Sequence, residues 1–308
     1  MVLQAQPSLT DFLDAPYADV CSVAPLAMVY AAAGTRRSAA LAGLGSHSEE
    51  YVSSSRRQMM EACALIFAHG VRHTFTVLAS PGQFSEVGRY RARLVDWILW
   101  GVNGPEAIQD FARRGWRVRL LTDPSIPELD ALQRKLAAAQ SASAVDVASG
   151  GKTLWFLVVP DADAPWRWAL DAIHRSGART QAEAIRALYG EDIPLISLFL
   201  GFGKPVIAPE LLPPLLGGAV NCYWSQRPGY QLAEAEFRRI LYDHAFVRST
   251  WQADKSGRGE EALATRAAWE AGPVLGLGMR LGPFWYPQPF ALPPGIAVNA
   301  ELGGQSTG

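Results

Sequence analysis

The chain of 308 residues is poor in cysteine, in histidine and in net charge. Its three cysteines, Cys21, Cys63 and Cys222, are odd in number and far apart, which excludes a disulfide framework and a paired-cysteine zinc site. That usage fits a reducing compartment, so a cytoplasmic location is expected. The five histidines form no cluster with Cys or carboxylates at ligand spacing, and no transition-metal site is expected. Lys and Arg number 28 against 29 Asp and Glu, a formal charge of -1, so no strong field points to nucleic acid or anionic lipid as partner. No apolar run is long and unbroken enough for a membrane span, since the apolar stretch 273–298 is interrupted by Gly and Pro, and stable membrane insertion is not expected. The opening MVLQAQPSLTDFLDAPYADV has neither a basic n-region nor an apolar core and reads as an arm, not a secretion signal. Walker A, the Rossmann G-x-G-x-x-G after a strand and the G-x-S-x-G elbow are all missing, which removes the usual marks of triphosphate hydrolysis, dinucleotide redox chemistry and serine hydrolysis.

What is present is a core-forming composition, 49% hydrophobic and 19% charged, with a heavy aromatic load of 10 Trp, 12 Phe and 9 Tyr. Short apolar runs at 21–32, 71–79, 117–122, 153–160, 194–202 and 220–225 read as strands. Helical spacing appears at 47–69, 86–102, 105–114, 127–141, 164–174, 181–189, 232–248 and 260–271, with Gly70 placed to end the first of these. Ser46-His47-Ser48 reads as that helix's N-cap and the small-residue stretch 141–152 as a surface loop. Continuous apolar strands separated by helices predict an α/β fold, a single domain with a mostly parallel central sheet of about six strands and helices on both faces. The expected layout is an N-terminal arm at 1–20, a catalytic domain at 21–272 and a C-terminal arm at 273–308, packing on the body or on a second subunit and frayed at its end.

In open parallel sheets ligands bind at the carboxyl ends of strands, so the loops after the first and fifth strands are the first candidates. The first carries Gly34, Thr35, Arg36 and Arg37, a hydroxyl and two guanidinium forks beside a glycine that lets an anion approach the backbone. The second carries Gly203 and Lys204. Either alone could be a solvated edge. Aromatic faces stabilise desolvated cations by about 2 kcal/mol, and Tyr90, Trp97 and Trp100 share one predicted helix while Tyr51 and Phe67 share another expected to cover the same face. Any single ring is as well explained as core filling.

Several motifs occur in order along the chain: AGTRR at 33–37, IFAHGV at 66–71, GRY at 88–90, LYGE at 188–191, LGFGK at 200–204, FRRILYDHAFVR at 237–248 and GLGMRLGPFWY at 276–286. As a set they resemble the tuberculosinol synthase (tuberculosinyl adenosine transferase) group, diterpene synthases and prenyl transferases on the cis-prenyltransferase (undecaprenyl diphosphate synthase) fold. The resemblance implies a homodimer and a hydrophobic tunnel for an isoprenoid tail. It implies diphosphate binding by Gly34, Thr35, Arg36, Arg37, Gly203 and Lys204, with Tyr51 and Arg37 catalytic and with Tyr90, Trp97 and Phe67 around a cation pocket. The family's phosphate loop opens with Asp, here Ala33, and its G-F-G-R element ends here in Lys204, which keeps the charge without the fork. The resemblance implies Mg²⁺ as a cofactor, and against it stands Ala33, in place of the Asp that handles the metal in the elongating relatives. The function implied is ionisation of a C15–C20 isoprenoid diphosphate by a terpene synthase or prenyl transferase, the carbocation being quenched by water, a base or an acceptor. Ala33 leaves open the alternative of a catalytically silent subunit or an isoprenoid-diphosphate binding protein.

Overall fold

The computed structural model describes residues 7–46, 48–142, 151–251 and 254–288. The expected loop at 141–152 and the frayed C-terminal end fall largely or wholly outside them. Six strands form one parallel sheet: β1 (Ala27–Ala31), β2 (His73–Ala79), β3 (Trp116–Leu121), β4 (Lys152–Val158), β5 (Ile196–Phe202) and β6 (Gly217–Ser225), in the order β3-β4-β2-β1-β5-β6. β1 is central, with Met28 opposite both Thr74 of β2 and Leu198 of β5, and all five of its residues are buried. A strand covered on both faces has no solvent side to mark with polar residues, which is why these segments read as continuous apolar runs.

The front face is covered by α4 (Glu49–Ala68), α6 (Arg89–Asn103), α7 (Pro105–Arg113), α8 (Pro127–Ala142) and α11 (Glu234–Tyr242), whose apolar sides share a core with Met28, Leu154 and Leu198. The back face is covered by α9 (Ala164–Ser176) and α10 (Gln181–Tyr189), around Val29, Phe75 and Trp155. Short helices α1 (Leu9–Leu13), α2 (Tyr17–Val23), α3 (Thr35–Leu41) and α5 (Pro81–Phe84) complete the body. α12 (Arg258–Ala264), α13 (Arg266–Glu270) and an antiparallel hairpin of β7 (Gly278–Leu281) and β8 (Phe284–Pro287) follow it.

Several boundaries differ from expectation. Residues 21–32 are not one strand: α2 ends at Val23 because Ala24 precedes Pro25 and takes the extended conformation, ψ 144, that a proline imposes on its predecessor. The helix expected from Glu86 starts at Arg89, after Gly88 with φ 83. The helix expected over 232–248 changes to a π-helical turn at Asp243–Val247, and that over 260–271 breaks at Thr265. The C-terminal arm contains the hairpin.

Candidate active site

At the carboxyl end of β1 the chain turns sharply into α3. Gly34 makes the turn with φ 74, and a Cβ there would stand 2.9 Å from the Phe202 ring, so both the backbone conformation and the space require glycine. Ala33 just before it is tied down by Gly229, whose N–H donates to its carbonyl at 2.8 Å. The loop therefore presents Thr35, Arg36 and Arg37 from a fixed base.

Opposite them stands α4. The Ser48 hydroxyl caps it by accepting from the Tyr51 N–H at 3.1 Å, the role expected of this segment, and the cap places Tyr51 in the first turn facing Thr35. The two hydroxyls are 2.9 Å apart. Burial raises the Tyr51 pKa, only partly offset by the Thr35 hydrogen bond, so the phenol keeps its proton at neutral pH. Along the same helix Val52, Ser55, Arg56 and Met59 follow Tyr51 at helical spacing and line one wall of a cavity of about 610 Å³. α6 supplies another wall with Tyr90, Leu94, Trp97 and Ile98. Trp97 meets Tyr51 and Tyr90 edge-on, with ring centroids 6.0 and 5.6 Å away. This volume lies in the range of sites that enclose small organic ligands, about 300–1,000 Å³.

The two loop arginines have different neighbours. Arg36 gives two hydrogen bonds, 2.8 and 2.7 Å, to the Glu86 carboxylate and lies over the Tyr90 ring at 4.4 Å. Arg37 has no ion pair among the described residues; its guanidinium carbon lies 4.8 Å from the Phe202 ring centre and 4.5 Å from that of Phe284. Deeper in, Arg56 donates to Asp110 at 2.8 Å and to the Gly101 carbonyl at 3.2 Å, tying α4 to α6 and α7.

Gly34, Thr35, Arg36, Arg37, Tyr51, Tyr90 and Trp97 thus converge on one cavity. Three expected residues do not. β5 ends at Phe202, and Phe202 and Val206 line the cavity while Gly203, with φ 75, and the exposed Lys204 between them do not. Phe67 lies sixteen residues after Tyr51 on α4, rotated by about 160° and displaced by about 24 Å along the axis, and packs instead against Trp116 at 4.9 Å. Sequence reasoning missed Arg56, Phe202, Tyr230 and Phe284. For Arg56 a signal existed, the stripe of α4 that includes Tyr51 and Ser55; for Phe284 only the fold brings it to Arg37.

A Mg²⁺ ion takes oxygen ligands, commonly one or two carboxylates plus substrate phosphates. Among the described residues the cavity lining contains no Asp or Glu, and no group of three His, Cys, Asp or Glu could hold a metal. Glu86, the carboxylate beside the loop, is held by Arg36. This donor set does not fit a Mg²⁺ held by the protein.

No protein-family model matches the chain. The fold resembles that in the crystal structure of lavandulyl diphosphate synthase from Lavandula x intermedia in complex with dimethylallyl diphosphate, with a TM-score of 0.50 at 12% identity over 73% of this chain and 97% of that one. The architecture is that of the cis-prenyltransferases. In sequence, the chain is 44% identical to the (+)-kolavelool synthase of Herpetosiphon aurantiacus over 288 residues, 93% of this chain and 97% of that protein. It is 24% identical to the tuberculosinyl adenosine transferase of Mycobacterium tuberculosis over 248 residues, 77% of this chain and 82% of that protein. The chain belongs to the kolavelool synthase and tuberculosinyl adenosine transferase group of the cis-prenyltransferase family.

Proposed function

We propose that the protein is a terpene synthase or prenyl transferase that ionises a C15–C20 isoprenoid diphosphate in this cavity. The observation that carries the reading is the cavity's lining: one loop supplies Thr35, Arg36 and Arg37, and α6 supplies an aromatic and apolar wall of Tyr90, Leu94, Trp97 and Ile98. The diphosphate would lie against the loop and the tail among the rings. As the allylic C–O bond breaks, its electron pair leaves with the diphosphate oxygen, and the guanidinium of Arg37, supported by Arg36, Thr35 and backbone beside Gly34, stabilises the growing negative charge. The faces of Tyr90 and Trp97 away from Arg36 and Arg93 stabilise the carbocation left behind. Tyr51, kept protonated by its burial, orients the quenching water or acceptor. When water adds, its oxygen forms the new bond to carbon and its surplus proton passes to the released diphosphate.

Ala33 is the observation that favours a silent subunit; the convergence of Thr35, Arg36, Arg37 and Tyr51 on one cavity stands against it. The unpaired state of Cys21, Cys63 and Cys222 supports a reducing, cytoplasmic setting. Exposed Trp251, Trp269, Val274 and Leu275 cluster in sequence after the body and support a homodimer that covers them. The test is product analysis by mass spectrometry after incubation with farnesyl, geranylgeranyl and copalyl-type diphosphates. A terpene alcohol or olefin, or a prenylated acceptor, together with inorganic diphosphate is expected. Recovery of every substrate unchanged, alongside a stable complex with a second prenyltransferase-like chain, would establish the silent subunit instead.

A further inference from the structure

The C-terminal hairpin takes no part in the six-stranded sheet, and its apolar residues Met279, Leu281 and Tyr286 are exposed. Phe284 is as exposed as they are, at 45%, but it lines the cavity mouth and faces the Arg37 guanidinium. We infer that Phe284 is a positioning residue of the diphosphate site, fixing Arg37 together with Phe202 so that the guanidinium meets the anion from an aromatic cradle. The inference rests on the functional reading above.

The chemistry follows from how a bare guanidinium behaves. Arg36 is held by a carboxylate, which fixes it but neutralises it. Arg37 has no such partner among the described residues, so its charge is available to an anion, but an uncompensated arginine side chain has rotamers to lose on binding. Aromatic faces solve this without cancelling charge. The ring quadrupole attracts the cation over the face, and the hydrogen-bonding N–H groups project from the guanidinium edge, where a phosphate can take them in pairs. One ring comes from the end of β5, on the same sheet as the loop. The other comes from the hairpin, whose register pairs Leu281 with Phe284 across a turn at Gly282 with φ 58. The segment 276–286, GLGMRLGPFWY, thereby acquires a task in the site.

The test is calorimetric titration of the full chain with inorganic diphosphate, which needs no turnover, on the wild type, Arg37→Ala, Phe284→Ala, Phe284→Leu and Phe284→Tyr. Wild type should bind and R37A should lose binding. F284A and F284L should both weaken it by about two- to thirtyfold, the span for a cation–aromatic contact from exposed to desolvated, while F284Y, which keeps the face, should stay within about twofold of wild type. The hairpin stands apart from both cores, so the melting temperature should not move in any of the three Phe284 variants. F284L equal to wild type would show that bulk alone suffices and overturn the inference while leaving the diphosphate site intact. No binding by the wild type would sink the site itself and the inference with it.

Discussion

On the back of the sheet Phe75 stacks on Trp155 at 5.5 Å and Tyr189 closes on both edge-on, whereas on the front Tyr51, Tyr90 and Trp97 stand around a cavity. The residue types are the same. The difference lies in where their polar atoms go. On the back they are used up inside the protein: the Trp155 indole donates to Nδ1 of His73 at 3.3 Å, and the Tyr189 hydroxyl donates to the Pro214 carbonyl at 2.7 Å. On the front the Tyr51 hydroxyl meets Thr35 at 2.9 Å, and the Tyr90 hydroxyl accepts a long 3.4 Å contact from Gln83 and interacts with the Tyr51 hydroxyl. A high aromatic content therefore says little by itself. Rings whose polar ends are satisfied internally build a core, and rings that keep theirs at an opening build a site.

The contrast can be broken by substitution. Trp155→Ala removes a buried ring from a filled core and should cost about 3–5 kcal/mol of stability by chemical denaturation. Trp97→Ala, half-buried beside an existing cavity, should cost less than half of that while altering the product distribution or rate; equal destabilisation by the two would erase the distinction between the faces. Acid should act on the back face in particular. Burial pushes the His73 pKa down from 6.5 to about 4, and the bond from Trp155 requires its Nδ1 to be unprotonated. As pH falls the unfolded chain takes up this proton first, so stability is complete above about pH 6.5 and is lost progressively down to about pH 4, by about 3 kcal/mol in all. Denaturation measured across that window should show the loss, and His73→Gln should reduce it, leaving what His69 and His244, whose pKa values burial also lowers, contribute with the same sign. Ala33→Asp should have the smallest effect. A carboxylate at this exposed position would compete with the substrate for a loop arginine, as Glu86 already does for Arg36, at a cost of about 0.2–1 kcal/mol, up to about fivefold in rate. A gain in rate would instead mark the natural alanine as a defect.

The sheet was legible because a strand buried on both faces must be apolar throughout, as in AMVYA and TLWFLV. The phosphate loop was legible because its glycine, hydroxyl and arginines are contiguous. What escaped were long-range partners: Glu86 lies fifty residues from Arg36, and Phe284 lies further still from Arg37, and neither carries a local pattern that names its partner. The placing of Phe67 failed for a geometric reason, since sharing a helix with Tyr51 does not mean sharing a face. Lys204 lies between two residues of the cavity lining, Phe202 and Val206, without lining it itself, a placement that its sequence position does not reveal.

The measurement that bears most directly on the cavity's assignment is release of inorganic diphosphate from a C20 isoprenoid diphosphate by the wild type and Arg37→Ala side by side, with melting temperatures recorded for both. Wild type should turn over, and R37A should lose at least about a hundredfold in rate, the scale for removing one stabiliser of developing negative charge, without a change in melting temperature. Equal release by the two proteins would contradict the assignment of Arg37 as the anion receptor and, with it, the placement of the reaction in the front-face cavity.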